Sequence, residues 1–203
     1  MTSAQPQLIP TKLALRRTAK AQREARSEAE REQAGASIAA VGLELPRLRQ
    51  ADCVAVYASL PDEPGTGLLR AGLRELGTRV LLPVIAGRAL DWSEDSGELI
   101  ASGPLRLLQP PGRRFGPAEL GQAQVVIVPA LAVDTIGTRL GRGRAYYDTA
   151  LGQAHPDALI LALVHDPEVL DAATTPIPRE PHDVAVHGVI TPTRWMYFSP
   201  SRR

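Results

Sequence analysis

The segment from Val128 to Asp148 holds the residues best suited to chemistry. Gly141 and Gly143 lack a Cβ, so the backbone there can approach an anion closely. Arg139, Arg142 and Arg144 add planar guanidinium donors that match phosphate oxygens. A helix starting near Ala145 would point unpaired N–H groups and the positive end of its dipole at the same place. Together these features describe a phosphate cradle. The spacing matches neither a Walker loop nor the dinucleotide fingerprint. The bland alternative is a solvated turn whose arginines aid solubility.

Other groups could serve such a cradle. Asp148 falls on the first turn of the expected helix, where a carboxylate favours the dipole. Next to phosphate it could instead hold Mg²⁺, a hard cation that prefers carboxylates, water and phosphate. Asp183 could be a second ligand, or only a turn residue. Glu63 sits among two prolines and a glycine, as a loop acid or as an acceptor for ligand N–H groups. Lys12 and Arg16 stand four apart on one helical face, as a solvated basic face or as a clamp on triphosphate. Tyr57 and Tyr147 could stack on an aromatic ligand or belong to the core. The four histidines have no metal spacing. Cys53, in an apolar run with no evident base, reads as a buried structural thiol.

Positioning these residues requires a particular order of elements. Residues 1–10 carry two prolines and few apolar groups, and read as a frayed tail. Thr11 could cap a helix through Gln33, rich in Lys, Arg, Glu and Ala, with small apolar side chains that pack shallowly. A second helix is expected over Ala36–Leu45, with Pro46 opposing its continuation. Buried strands are expected at Asp52–Ser59, Thr78–Ile85, Ala123–Val128 and Asp157–Val164, with a last one at Val184–Ile190. Gly67–Leu76 has helical spacing. Ala89–Ser93 reads as a short strand near an edge, and Leu105–Leu108 as another inside a Gly/Pro-rich loop. Asp134–Arg144 reads as loop, and Tyr146–Leu151 as a helix start.

Strand, helix and strand in series predict an α/β fold, a three-layer αβα sandwich with a mainly parallel central sheet. The expected single domain spans residues 11–198, with a second tail at 199–203. Ligands of such sheets sit beyond the carboxyl ends of the strands. That directs attention to the loops after Ser59, Val128 and Val164.

Composition sets outer limits. The 203 residues are 44% hydrophobic and 22% charged, an ordinary globular balance that argues against disorder. A formal net charge of +1 gives no global attraction to nucleic acid, and no apolar run has the length of a membrane span. One cysteine excludes an intramolecular disulfide and fits a reducing compartment.

Four separated motifs, in order, carry a family resemblance. They are Lys12-x-x-Leu15-Arg16; Tyr57-x-Ser59 followed by Glu63 and Thr66; the run from Arg139 through Leu140, Gly141, Arg142, Gly143, Arg144, Ala145, Tyr146 and Tyr147 to Asp148; and Pro181-His-Asp183 through Val189-Ile-Thr191. Over about Lys12 to Thr191 the chain resembles the 5-formyltetrahydrofolate cyclo-ligases, also called methenyltetrahydrofolate synthetases. The resemblance implies a cytoplasmic, monomeric ligase acting on ATP and 5-formyltetrahydrofolate with Mg²⁺. No nucleic-acid or membrane partner is implied. It assigns Lys12, Arg16 and Arg139 to Tyr147 to ATP. It assigns Ala58, Glu63 and Arg142 to Tyr146 to the folate, and Asp148 and Asp183 to the metal. Arg142, Arg144 and Tyr147 are the expected catalytic groups. Phosphoryl transfer needs placement and charge stabilisation more than a protein nucleophile, so the lack of a Ser/His/Asp set is in keeping.

Two departures stand out. The family commonly has glycine where this chain has Ala145, and often aspartate where it has His187. We expect Ala145 inside the first helical turn, where alanine is the better residue. Two competing readings are a non-catalytic nucleotide- or folate-binding module and a nucleic-acid binder using the basic first helix. Joint retention of Lys12, Arg16, Glu63, Asp148 and Asp183 opposes the first, and four interspersed acids oppose the second.

Overall fold

The computed structural model describes residues 10–102, 107–181 and 183–198. Both expected tails, apart from Pro10, and part of the Leu105–Leu108 strand lie outside those residues. The helices are α1 (Lys12–Glu24), α2 (Glu28–Leu43), α3 (Pro46–Arg49), α4 (Gly67–Glu75) and α5 (Tyr146–Ala150). The strands are β1 (Cys53–Ala55), β2 (Arg79–Ala86), β3 (Ala89–Glu94), β4 (Ile100–Ser102), β5 (Leu107–Gln109), β6 (Arg114–Phe115) and β7 (Val125–Pro129). They continue with β8 (Ala132–Asp134), β9 (Arg139–Leu140), β10 (Leu159–Leu163), β11 (Val169–Leu170), β12 (Gly188–Ile190) and β13 (Trp195–Tyr197).

Thr11 caps α1, its hydroxyl accepting from the N–H of Ala14 at 3.1 Å. The long first helix expected from composition is two helices. Ser27 and Glu30 form a capping box that starts α2, and the chain turns between them and Glu24. The Ser-x-x-Glu signature lay inside a strongly helix-forming run. The break expected before Ala36 does not occur. Gly35 lies within α2, where a Cβ would stand only 3.4 Å from the Cα of Gly65. Its missing side chain admits the backbone of the loop that carries Glu63.

The central sheet has the order β13-β12-β10-β7-β1-β2-β3-β6. The five inner strands from β12 to β2 are parallel, and β13, β3 and β6 add antiparallel edges. Alternate residues face opposite cores, as a strand's period of two demands. Val54, Val80, Leu82 and Ile127 pack under Ile38 of α2, Leu48 of α3 and Leu69 and Leu73 of α4. Ala55, Leu81, Val126 and Val128 meet Leu120, Ala150 and Leu151 on the other face. The three-layer α/β fold is therefore as expected, with a thin second helical layer. In and just after α4, Leu69 and Leu73 are buried while Leu68 and Leu76 are exposed.

Strand ends differ from expectation for a local reason. β1 stops at Ala55 rather than Ser59, because the carbonyl of Tyr57 turns away to accept from the Thr66 hydroxyl at 2.7 Å. Within the expected Gly/Arg loop, Arg139 and Leu140 pair with β8. The last parallel strand starts at Gly188, not Val184. His187 is structural: its Nδ1 accepts from the N–H of Ile160 at 2.9 Å. The thiol of Cys53 is buried and free, and burial pushes its pKa up.

His165, after β10, is 3% exposed, and burial lowers its pKa to about 4. The folded state therefore resists a proton that the unfolded chain accepts near pH 6.5. The stability held above pH 6.5 should fall as pH drops toward 4, by on the order of 3 kcal/mol from this group alone. Urea titrations across that window should show the slope, and His165→Asn should flatten it. An unchanged slope in the variant would assign the acid loss elsewhere.

Candidate functional site

β1 leads to β2 on one side, while β7, β10 and β12 continue on the other. The strand order thus reverses between β1 and β7, where ligands of such sheets bind. A pocket of about 990 Å³ opens there, lined by Tyr57 to Pro61 and Glu63 after β1, Pro83 and Ile85 in the second half of β2, and Pro129 and Ala130 at the end of β7.

Every residue that the resemblance assigns to ATP, folate or metal lines this one pocket. Lys12, Arg16, Ala58, Glu63, Arg139 to Asp148 and Asp183 all contribute. They converge from four chain segments, so their proximity is a product of the fold. Sequence reasoning missed Lys20, Gln109, Glu180 and the apolar wall of Pro83, Ile85, Leu90, Leu107 and Leu108. Lys20 was legible, standing eight residues from Lys12 on the same helical face. The apolar wall was not, because it depends on how β2, β3 and β5 meet.

Charges in the pocket are matched in pairs. Lys12 Nζ lies 2.8 Å from Asp183 Oδ2 and 3.2 Å from Glu180 Oε1. Arg139 donates through Nη2 to Asp148 Oδ1. Arg142 donates through Nε to Glu63 Oε1 at 3.0 Å and through Nη2 to Asp62 Oδ2 at 2.6 Å. Arg16 Nε binds the carbonyl of Gly141 at 2.9 Å, tying α1 to the glycine loop. Arg144 is exposed and has no hydrogen-bond partner among the described residues. Among those residues no group of three or more His, Cys, Asp or Glu could hold a metal. Asp148 and Asp183 are hard oxygen donors beside the basic groups, which suits a cation that completes its shell with phosphate and water.

Two phenols on this wall lack partners. The hydroxyls of Tyr57 and Tyr147 are buried without a hydrogen bond. Burial, then the nearby Glu63 carboxylate, raises the pKa of both. Each therefore stays protonated near neutral pH and can donate.

Ala145 corrects the sequence reading. It is left-handed, with φ 54° and ψ 10°, and α5 begins only at Tyr146. Gly143, at φ 94°, is left-handed too, so the loop turns twice before the helix starts. An L-residue with a Cβ pays about 1–2 kcal/mol in this region. Ala145→Gly should remove that strain, offset in part by the freedom glycine gains on unfolding. The net expectation is a melting temperature about 2–4 °C higher. A lower melting temperature would mean that the side chain makes a compensating contact.

A parallel α/β sheet with a Gly/Arg loop and paired carboxylates at its switch point defines an α/β enzyme built to handle phosphates. The family model for the 5-formyltetrahydrofolate cyclo-ligase family matches residues 9–192. A Mycolicibacterium smegmatis 5-formyltetrahydrofolate cyclo-ligase is 42% identical over 147 residues, covering 70% of this chain and 74% of that protein. The fold resembles the Aquifex aeolicus 5,10-methenyltetrahydrofolate synthetase, with TM-score 0.78 and 23% identity over 95% of each chain. The Mycoplasma pneumoniae synthetase aligns with TM-score 0.69 and 19% identity over 89% of this chain and 98% of that one. The chain belongs to the 5-formyltetrahydrofolate cyclo-ligase family. It is a ligase of folate metabolism that converts 5-formyltetrahydrofolate to 5,10-methenyltetrahydrofolate with ATP.

Proposed function

We propose that this pocket joins the formyl oxygen of 5-formyltetrahydrofolate to the γ-phosphorus of ATP and then closes the imidazoline ring. The observation that carries this reading is the convergence of the four motifs on one cavity. In the first step the O–P bond forms, the bond from γ-phosphorus to the β,γ-bridging oxygen breaks, and ADP leaves. The N5 lone pair shifts toward carbon, giving an imino-phosphate. N10 then attacks that carbon, the C–O bond breaks with release of phosphate, and N10 loses its proton.

The chain's own groups divide these tasks. Lys12, Arg16, Arg139 and Arg144 hold phosphate oxygens, and their charge stabilises the oxygens as the γ-phosphoryl moves. Arg142 spans both halves, since it reaches Glu63 while belonging to the glycine loop. Glu63 accepts N–H groups of the pterin, against the apolar wall. The protonated phenol of Tyr147 donates to the reacting region rather than acting as a base. Asp148 and Asp183 would hold Mg²⁺, which when bound neutralises phosphate charge. Both carboxylates are ion-paired with Arg139 and Lys12. With nucleotide bound, Lys12 and Arg139 would be drawn to its phosphate oxygens, and the carboxylates of Asp183 and Asp148 would then hold the cation.

Mixing the protein with ATP, Mg²⁺ and 5-formyltetrahydrofolate should produce the near-ultraviolet absorbance of the methenyl product, with ADP and phosphate in equal amounts. AMP and pyrophosphate as products would overturn the phosphoryl-transfer route. Asp148→Asn should lower activity mainly through the metal, with partial recovery at higher Mg²⁺. A normal Mg²⁺ dependence in that variant would leave Asp148 only as the partner of Arg139.

A further inference from the structure

Tyr57 is 3% exposed, and it follows β1 at the point where the chain bends toward the pocket. Its backbone is fixed by the hydrogen bond from Thr66 to its carbonyl. Tyr57 is one of the residues that line the pocket, and its hydroxyl is buried with no hydrogen-bond partner among the described residues. The titratable groups that bear on that hydroxyl are Glu63, Arg23, Tyr147 and Glu168. Arg23 engages Glu168 through Nε and Nη2, each at 2.7 Å, while its Nη1 is likewise buried without a partner; Glu63 and Tyr147 stand on the pocket lining.

A buried hydroxyl without a partner forfeits its hydration and gains nothing in return. Phenylalanine would fill the same volume without that loss, so a fold selected for stability alone has no use for the oxygen. Glu63 sets the complementary chemistry. A carboxylate calls for ligand N–H groups, and a neutral phenol nearby calls for a lone pair. An aminopyrimidinone edge presents N–H donors and a lone-pair acceptor side by side. We propose that the Tyr57 hydroxyl is a substrate contact, donating to a lone pair on the fused heterocycle whose N–H groups face Glu63, directly or through one water. This rests on the folate reading above.

The test compares wild type with Tyr57→Phe, using calorimetric binding of 5-formyltetrahydrofolate without ATP. The variant should bind it about tenfold more weakly, one hydrogen bond's worth. Affinity for ATP should be unchanged. Affinity for p-aminobenzoylglutamate, which lacks the heterocycle, should be unchanged too. The ligand-free variant should melt at the same temperature as wild type or higher, because an unsatisfied oxygen has been removed. Equal folate affinity in both proteins would overturn the proposal. So would a lower melting temperature for the ligand-free variant, since the hydroxyl would then have a partner inside the protein. Wild type that binds ATP but no folate would sink the folate reading itself, a distinct outcome.

Discussion

Arg142→Ala is expected to lower kcat/KM for cyclisation by about 10²–10³-fold, in the range for removing a preorganised charge from a transition state. The structure explains why this arginine should matter more than its neighbours. Its guanidinium is shared between Asp62 and Glu63, on the loop after β1, while its backbone belongs to the glycine loop after β9. It ties the loop after β1 to the glycine loop, the two segments proposed to hold folate and phosphate. Burial works against its charge, but Asp62 and Glu63 more than offset that and raise its pKa. The charge is thus firmly held before any ligand arrives. Removing it weakens the attraction for the γ-phosphoryl and releases Glu63 from a defined position. Both kcat and the folate KM should suffer. Arg142→Lys keeps a charge but not the fork that engages two carboxylates at once, so it should recover only part of the loss. Melting temperature should fall by a few degrees, because the nearly buried carboxylate of Glu63 loses its charged partner. If Arg142→Ala raises only the folate KM and leaves kcat intact, the arginine is a tether for Glu63 and takes no part in phosphoryl transfer.

That linkage could not be read from the sequence, although its members could. Arg142 and Glu63 each drew attention for their type and setting, 79 positions apart. Only the β7-β1-β2 register brings their loops together. The parallel sheet itself was legible because Val, Ile and Leu runs of buried strands alternate with helical spacing. Strand ends were not, since β1 ends where Tyr57 finds a hydroxyl partner nine residues on. Ala145 failed for a related reason. Alanine's helix propensity is a weak local preference, and the tertiary placement of the glycine loop, tied to α1 by Arg16, overrides it. Ser27 was different: its capping signature was in plain view but was swamped by the helix-forming residues around it.

The largest loss of stability should come from Arg23→Ala, within the charge-rich first helix. Arg23 is 1% exposed. Its Nε and Nη2 reach Glu168 Oε1 and Oε2, each at 2.7 Å, and Nη2 also reaches the carbonyl of Ala130 at 2.7 Å. Glu168 Oε2 in turn accepts from the N–H of His165 at 2.8 Å. Truncating Arg23 strands a buried carboxylate, a loss of about 3–5 kcal/mol. For a chain of this size that corresponds to a melting temperature roughly 10 °C lower. Arg23→Met combined with Glu168→Leu removes both charges and should recover only part of it, since the carbonyl of Ala130 and the N–H of His165 lose their buried partners. Function should follow position. Arg23 pins the C-terminal end of α1, whose shallow face of Leu15 and Ala19 packs on Leu131, Leu140 and Ile177. Lys12, Arg16 and Lys20 project from that same helix into the pocket. Well below its melting temperature, Arg23→Ala should therefore show a raised KM for ATP with a nearly normal KM for folate. If it melts like wild type, the ion pair is not what holds α1 against the sheet. If it is unstable but keeps a normal KM for ATP, the basic face of α1 is positioned by Arg16 and Gly141 alone.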